Sequence, residues 1–148
     1  MNFKPELAQA VMAGRKTVTR RLVSHNTRSP WWREKCSLEV GKDYAVCPGR
    51  GKNAIGRVRI VRVSREPLHL VLNHGEAHRE GFPSALAFRE AWKGINGSWD
   101  DMALVWRVEF EVAEILECKA CGHMGDDCVC WYIAEMERGE REAFEAAA

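Results

Sequence analysis

The sequence predicts an α+β protein, a small mixed β-barrel with short flanking helices, and three features support this prediction. Several segments combine β-branched and apolar residues in the alternating pattern of half-buried strands. Short helical segments separate them without the regular strand, helix, strand order of a parallel sheet. The 148 residues suit one main domain with a small extension. Strands joined in this irregular order are typical of small barrels.

The chain begins with a helix that leads into a basic strand. Pro5 suits a first helical turn and Gly14 can end the helix, which predicts a helix over residues 5–13. The stretch GRKTVTRR (14–21) follows, and its β-branched centre predicts a strand. Alternation along that strand places Lys16, Val18 and Arg20 on one face and Thr17, Thr19 and Arg21 on the other.

A loop and two strands come next. Residues 23–39 have no sustained period and contain Asn, Ser and Pro, which predicts a long loop carrying Trp31 and Trp32. The following strand, turn and strand are DYAVC (43–47), PGRGK (48–52) and AIGRVRIVRV (54–63), the last with Arg57, Arg59 and Arg62 along a basic face.

The second half alternates helices with one long strand. The predicted elements are a short helix over 73–82, a helix over 85–92 capped by Ser84, a strand over 102–116, and an amphipathic helix from about Trp131 to Phe144. We divide the chain into a main domain over residues 1–113 and a cysteine-rich extension over 114–148.

Charge is strongly segregated, although the net charge is only +1. Between Gly14 and Arg65, 14 lysines and arginines stand against three acids, a balance of +11. From Glu109 to Ala148, 11 acids stand against three bases, a balance of −8. A basic segment of this size attracts polyanions, so we expect an RNA or nucleotide ligand. The acidic carboxy-terminal helix is a candidate docking surface for a protein partner.

Membrane association and secretion are not expected. No apolar run approaches the roughly 20 residues of a membrane-spanning helix. The first residues, MNFKPELAQA, lack the apolar core and cleavage pattern of a secretory signal. We therefore expect a cytoplasmic protein.

Six motifs occur in a specific order along residues 1–113. They are AGRKTVTRR (13–21), VGKDYAVCPGRG (40–51), GRVRIVRV (56–63), EAHREGF (76–82), FREAW (88–92) and VWRVEFEV (105–112). Their order resembles the ASCH family, small β-barrels related in fold to the PUA RNA-binding domains. The resemblance implies a central cleft that is lined by GRKTVTRR and roofed by the helical segment after the third strand.

The resemblance also implies candidate activities. Some small bacterial ASCH proteins are amidohydrolases that remove the acetyl group of N4-acetylcytidine with a lysine, a threonine and a glutamate, which match Lys16, Thr19 and Glu80 here. Other members bind or cleave RNA, so a ribonuclease is an alternative. A desolvated lysine can act as base or nucleophile when a carboxylate and a hydroxyl orient it. Lys16 and Glu80 could equally form only a buried salt bridge.

Further residues are candidates for nucleic-acid contact. Guanidinium and ammonium groups bind phosphate oxygens without sequence preference. Tryptophan rings stack on unpaired bases, a contact worth roughly 1 to 3 kcal/mol. The candidates are Arg20, Arg21, Trp31, Trp32, Arg50, Lys52, Arg57 and Arg59.

The extension contains CKACGHMGDDCVC, in which four cysteines could close a tetrahedral site. Four thiolates on two tight turns suit a structural zinc ion, which would stabilise a segment too short to fold alone. The predicted ligands are Cys118, Cys121, Cys128 and Cys130. His123 could replace one of them, and free cytoplasmic thiols are the alternative.

Together these features predict an RNA-binding or nucleotide-binding protein with a basic cleft around GRKTVTRR. The alternatives are an amidohydrolase that removes an acyl group from a modified nucleoside, a ribonuclease, and a protein-docking adaptor.

Overall fold

The computed structural model describes residues 1–116, where helices and strands follow nearly the predicted order. The helices are α1 (Pro5–Met12), a 3-10 helix (Leu68–Leu72), α2 (Glu76–Arg79) and α3 (Ala85–Asn96). The strands are β1 (Val18–Leu22), β2 (Trp31–Trp32), β3 (Lys35–Cys36), β4 (Asp43–Val46), β5 (Gly56–Pro67) and β6 (Leu104–Ile115). Among these residues, none of the helices has the length and apolar character needed to cross a bilayer.

The main sheet has four antiparallel strands in the order β1, β6, β5, β4. β5 and β6 are twelve residues each and form its centre. The pairing places Thr19 opposite Val108, so the basic motif lies along an edge of the sheet. β2 and β3 form a separate two-stranded ribbon within the segment that we predicted to be a loop, which corrects that prediction.

The predicted barrel is not closed. β1 and β4 lie at opposite edges of the sheet and do not pair with each other. The amino-terminal segment lies along β4 instead: the Cys47 amide donates to the Met1 carbonyl at 2.9 Å, and the Phe3 amide donates to the Cys47 carbonyl at 3.0 Å. These bonds satisfy backbone groups of the edge without strand closure.

A β-bulge at Val61 determines which way the arginines of β5 point. Ile60 is opposite Phe110 and Arg62 is opposite Glu109, so Val61 has no partner on β6. Strict alternation would turn Arg62 inward with Ile60, but the extra residue turns it outward. Arg59 and Arg62 are three positions apart, which would normally place them on opposite faces of a strand. Because of the bulge they lie on the same face.

Two apolar clusters form the core. The first packs α1 and the amino-terminal segment against the sheet, and its fully buried members include Val11, Val58 and Val108. The second lies under α2 and α3 and includes Leu68, Phe88 and Trp92. Burial of Trp92 and Trp106 agrees with the apolar patterns in which they occur.

Gly56→Ala should destabilise the protein because α1 crosses the sheet at this position. An added methyl group would lie 2.2 Å from Met12 Sδ and 2.6 Å from the Glu114 carbonyl oxygen. Overpacking of this kind costs about 1 to 3 kcal/mol of unfolding free energy, measurable by urea denaturation. Gly94→Ala in α3 is the matched control. Its methyl group meets no atom of the described residues within 4 Å, so the substitution should raise the unfolding free energy by roughly 0.5 to 1 kcal/mol. Similar changes in both variants would contradict the packing argument.

Candidate functional site

A cavity of about 150 Å³ lies between the amino-terminal segment, β1 and α3. We call it the β1 cavity. Its charged and polar lining includes all three residues that the ASCH resemblance assigns to catalysis, Lys16, Thr19 and Glu80. Four aromatic rings contribute apolar wall, from Phe3, Phe82, Phe88 and Trp92. The site therefore combines a polar cluster with flat apolar surfaces, as small-ligand sites commonly do.

Lys16 and Glu80 form a buried ion pair at the inner end of the β1 cavity. Lys16 Nζ lies 2.9 Å from Glu80 Oε2, and the two side chains are only 2% and 3% exposed. The ammonium also donates to the carbonyl oxygens of Val18 and Glu80, both at 2.8 Å. Burial lowers the pKa of Lys16, although the attraction of Glu80 opposes this effect.

Two glycines bring this pair together. Gly14, with φ +76°, ends the turn that follows α1, so Lys16 enters the cavity from the irregular segment before β1 and not from the strand itself. Gly81, with φ +87°, turns the chain directly after Glu80. A methyl group there would lie 3.3 Å from Lys16 Cβ, so glycine allows the two segments to approach closely. The glycine of the EAHREGF motif thus has a packing role.

Thr19 lies on the cavity wall together with Lys16, which corrects the predicted alternation. We expected the two residues on opposite faces of a strand that contained both. β1 begins at Val18, however, and Lys16 lies in the irregular segment between the turn at Gly14 and that strand. The Thr19 side chain is buried, with the residue 4% exposed, on the strand that forms the cavity wall. The catalytic roles of these residues stay a prediction.

We predicted that Arg20 would contact a phosphate, and in the structure its side chain contacts carboxylates. Its guanidinium is 1% exposed and donates to Glu66 Oε1 at 3.0 Å, to Glu80 Oε1 at 3.1 Å and to Glu76 Oε2. Glu80 is therefore held on both oxygens, by Arg20 on one and by Lys16 on the other. These carboxylates occupy the donors that a phosphate would require.

Glu76 connects this cluster to the sheet. Arg107 Nε donates to Glu76 Oε2 at 3.2 Å, and Arg79 also reaches Glu76. Burial alone would raise the pKa of Glu76, but the hydrogen bonds from Arg20 and Arg107 outweigh it and lower the pKa to about 2. The cluster thus keeps this carboxylate charged at neutral pH.

Arg21 also lines the β1 cavity, but its guanidinium is less completely paired than that of Arg20. Nη2 donates to the Asn2 carbonyl at 3.0 Å, while the buried Nε has no hydrogen-bond partner among residues 1–116. Two rings flank the group, with its central carbon 5.7 Å from the Phe3 centroid and 5.8 Å from the Trp31 centroid. Burial lowers the pKa of Arg21.

The other predicted phosphate contacts do not line this cavity. Arg59 pairs with Asp43 at 2.9 Å, and its neighbour across the sheet is Glu111. Arg57 donates to the Asp43 carbonyl at 3.2 Å and lies opposite Glu114. These acids offset the basic face of β5. Arg50 and Lys52 lie at the turn between β4 and β5, Arg50 exposed and Lys52 half-buried.

Trp31 and Trp32 are both half-buried in the ribbon of β2 and β3. Trp106 Nε1 donates to both of their carbonyl oxygens at 3.1 Å, which attaches the ribbon to the sheet. Trp31 also packs against the first core cluster. Base stacking by either ring stays a prediction.

The sequence analysis missed the acids that surround Arg20. Glu76 lies in the EAHREGF motif, four residues before Glu80, so the sequence could have placed the two carboxylates close together. Glu66, at the end of β5, had no such signal. The predicted zinc ligands Cys118, Cys121, Cys128 and Cys130, with the alternative His123, and the predicted carboxy-terminal helix lie outside the described residues. The division of the chain after residue 113 also stays a prediction.

Comparisons with solved structures agree with the resemblance at the level of the fold. An ASCH domain from Lactobacillus crispatus superimposes with a TM-score of 0.59 and 17% identity, over 73% of this chain and 70% of that one. A protein from Enterococcus faecalis gives 0.52 and 21%, over 74% and 71%. ASCH from Zymomonas mobilis gives 0.50 and 18%, over 78% and 70%. The chain thus has the ASCH-domain fold.

Comparisons at the sequence level give no match. No protein-family model and no curated protein matches this chain. Because the solved structures share less than 25% identity with it, they support the fold and leave the activity to be argued from the site.

Proposed function

We propose that this protein binds a nucleoside or nucleotide in the β1 cavity and hydrolyses an acyl group from the exocyclic nitrogen of the base, as in N4-acetylcytidine. One observation carries the proposal: Lys16 and Glu80, 2.9 Å apart and almost without solvent contact, line the same cavity as Thr19. These are the three residues that the ASCH resemblance assigns to amide hydrolysis. Their juxtaposition joins segments 64 residues apart in sequence.

The shape and lining of the β1 cavity support a small planar ligand. Its volume is below the roughly 300 to 1,000 Å³ of sites for drug-sized molecules, which favours a single pyrimidine ring. The aromatic side chains Phe82, Phe88 and Trp92 provide surfaces that exclude water. Exclusion of water strengthens the electrostatic effect of the charged pair on a developing oxyanion.

In the proposed reaction, Glu80 takes a proton from a water molecule that attacks the acyl carbon. Each of its oxygens already accepts one hydrogen bond and keeps a further lone pair. The three hydrogens of the Lys16 ammonium already donate to Glu80 Oε2 and to the carbonyl oxygens of Val18 and Glu80, so the ammonium acts through its positive charge, which attracts the oxyanion as the new C–O bond forms. Thr19 orients the acyl oxygen. As the C–N bond breaks, Glu80 returns this proton to the leaving nitrogen, which gives the free base amine and a carboxylic acid that loses its own proton to water.

Binding of RNA along an extended surface has less support. Arg20 is fully engaged by carboxylates, and Arg57 and Arg59 face acidic neighbours. RNA binding, RNA cleavage, a structural zinc ion in the extension, a cytoplasmic location and protein docking on the acidic carboxy-terminal helix remain predictions.

The proposal predicts that the purified protein converts N4-acetylcytidine into equal amounts of cytidine and acetate, measured by mass spectrometry. N4-methylcytidine is the matched control, because it has no acyl carbon and should remain intact. A short cytidine-rich RNA tested in parallel separates the ribonuclease alternative. Intact N4-acetylcytidine after incubation with folded protein would contradict the proposed function, and cleavage of the RNA would favour the alternative.

A further inference from the structure

Arg21 is a partly buried cation without a carboxylate in ion-pair contact among residues 1–116, whereas neighbouring Arg20 has three. Glu80 attracts Arg21 from a longer distance and offsets only part of the effect of burial on its pKa. The one hydrogen bond of Arg21 goes to the neutral Asn2 carbonyl, and its buried Nε has none. A buried charge without a counter-ion is costly, so an anionic ligand at this position would stabilise the protein.

The position of Arg21 along the β1 cavity is suited to the far end of a ligand. Lys16 and Glu80 are buried, whereas the lining residues Lys4 and Ile95 are exposed and mark the open end. Arg21 is intermediate in burial, and the Phe3 and Trp31 rings hold its guanidinium between them. A ligand whose base reaches Lys16 would extend its other end past Arg21 towards solvent.

We propose that Arg21 binds the phosphate of a nucleoside monophosphate, so that the preferred substrate is an N-acylated mononucleotide and not the free nucleoside. The part that concerns the base rests on the proposed function; the phosphate site does not. Free donors on a guanidinium fork match phosphate oxygens, and Lys4 adds a second, exposed cation at the open end. The small cavity favours one nucleotide over a strand of RNA.

The test compares the affinities of cytidine and cytidine 5′-monophosphate by isothermal titration calorimetry, which needs no turnover. Wild type should bind the monophosphate about 10- to 100-fold more tightly, the effect of one or two charge-assisted hydrogen bonds. Arg21→Met should abolish this preference. Arg28→Met removes an exposed cation that does not line the cavity, and it should keep the preference. Equal affinities in wild type, or an unchanged preference in Arg21→Met, would overturn the proposal.

Two further arms use the wild-type protein, so they apply even if Arg21→Met does not fold. Inorganic phosphate in large excess should weaken binding of the monophosphate and leave that of cytidine unchanged; no competition would overturn the proposal. A short cytidine-containing RNA that binds more tightly than the monophosphate would overturn the assignment to a mononucleotide.

Turnover separates this inference from the proposed function. The value of kcat/KM for N4-acetylcytidine 5′-monophosphate should exceed that for N4-acetylcytidine by about 10- to 100-fold, and in Arg21→Met the ratio of the two values should fall to about 1. Phosphate-dependent binding without hydrolysis would support the Arg21 site and refute the hydrolase. Equal hydrolysis of both substrates would support the hydrolase and refute the Arg21 site.

Discussion

Lys16→Met should reduce hydrolysis of N4-acetylcytidine by about 100- to 1,000-fold, the range typical for loss of one group that stabilises an oxyanion. Methionine nearly preserves the length of the side chain but removes the ammonium that would stabilise the oxyanion. The variant should lose stability, since Lys16 is one partner of a buried ion pair, but it should fold, because Glu80 keeps its contact with Arg20 at 3.1 Å. The measurement is kcat from mass detection of cytidine, with circular dichroism to verify folding.

Two controls separate catalysis from a purely structural salt bridge. Lys35→Met makes the same chemical change at an exposed position and should leave kcat unchanged. The second control is the pH profile of wild type. Because burial lowers the pKa of Lys16 from 10.5, its ammonium deprotonates at a lower pH than an ordinary lysine, and activity should fall at that lower pH. Full activity in folded Lys16→Met would show that the ion pair between Lys16 and Glu80 has only a structural role.

The elements that the sequence predicted well are those determined by local patterns. Pro5 and Gly14 bracket α1, and Ser84 caps α3 by accepting the Ala87 amide at 3.1 Å, as expected. The apolar alternation of β5 and β6 also predicted their location, because the two faces differ in burial over residues 56–60 of β5 and 108–112 of β6. These features depend on residues a few positions apart, which a single sequence contains.

The open sheet and the ribbon could not be predicted in the same way. Closure depends on whether β1 and β4 pair, which is a contact between distant segments without a local pattern. The ribbon contains only two residues per strand, and the Trp106 side chain, 75 residues after Trp31, holds it by hydrogen bonds. Neither the open sheet edge nor the ribbon changes the pattern of apolar and polar residues in its own segment, so the sequence gives no sign of them.

In the candidate site, too, some features were predicted from the sequence and others depend on contacts between distant segments. The resemblance placed Lys16, Thr19 and Glu80 at one cleft, and the three residues do line one cavity. The surroundings of Arg20 were not predicted, because strand alternation indicates the face on which a side chain lies and not the residues that it meets there. The carboxylates that engage Arg20 lie 46, 56 and 60 residues further along the chain.

Arg20→Met should destabilise the protein by about 3 to 5 kcal/mol, the typical cost of removing one partner from a buried ion-pair cluster. Its guanidinium is 1% exposed and contacts three carboxylates, from Glu66, Glu76 and Glu80. Without it, these charges would repel one another in a poorly solvated region. Arg59→Met is the control, since its ion pair with Asp43 is 52% exposed on the arginine side and should contribute less than about 1 kcal/mol. Urea denaturation at pH 7 measures both.

Acid should narrow the difference between wild type and Arg20→Met. In wild type, the pKa of Glu76 is lowered from 4.5 to about 2, so its stabilising contribution is complete above pH 4.5 and is lost as the pH falls towards 2. Arg20 is one source of that lowering, so its removal weakens the pH dependence of the variant. The gap in unfolding free energy should therefore shrink between pH 7 and about pH 3. A gap that is constant over this range would mean that Arg20 stabilises the fold through packing of its side chain, and that the three carboxylates tolerate its loss.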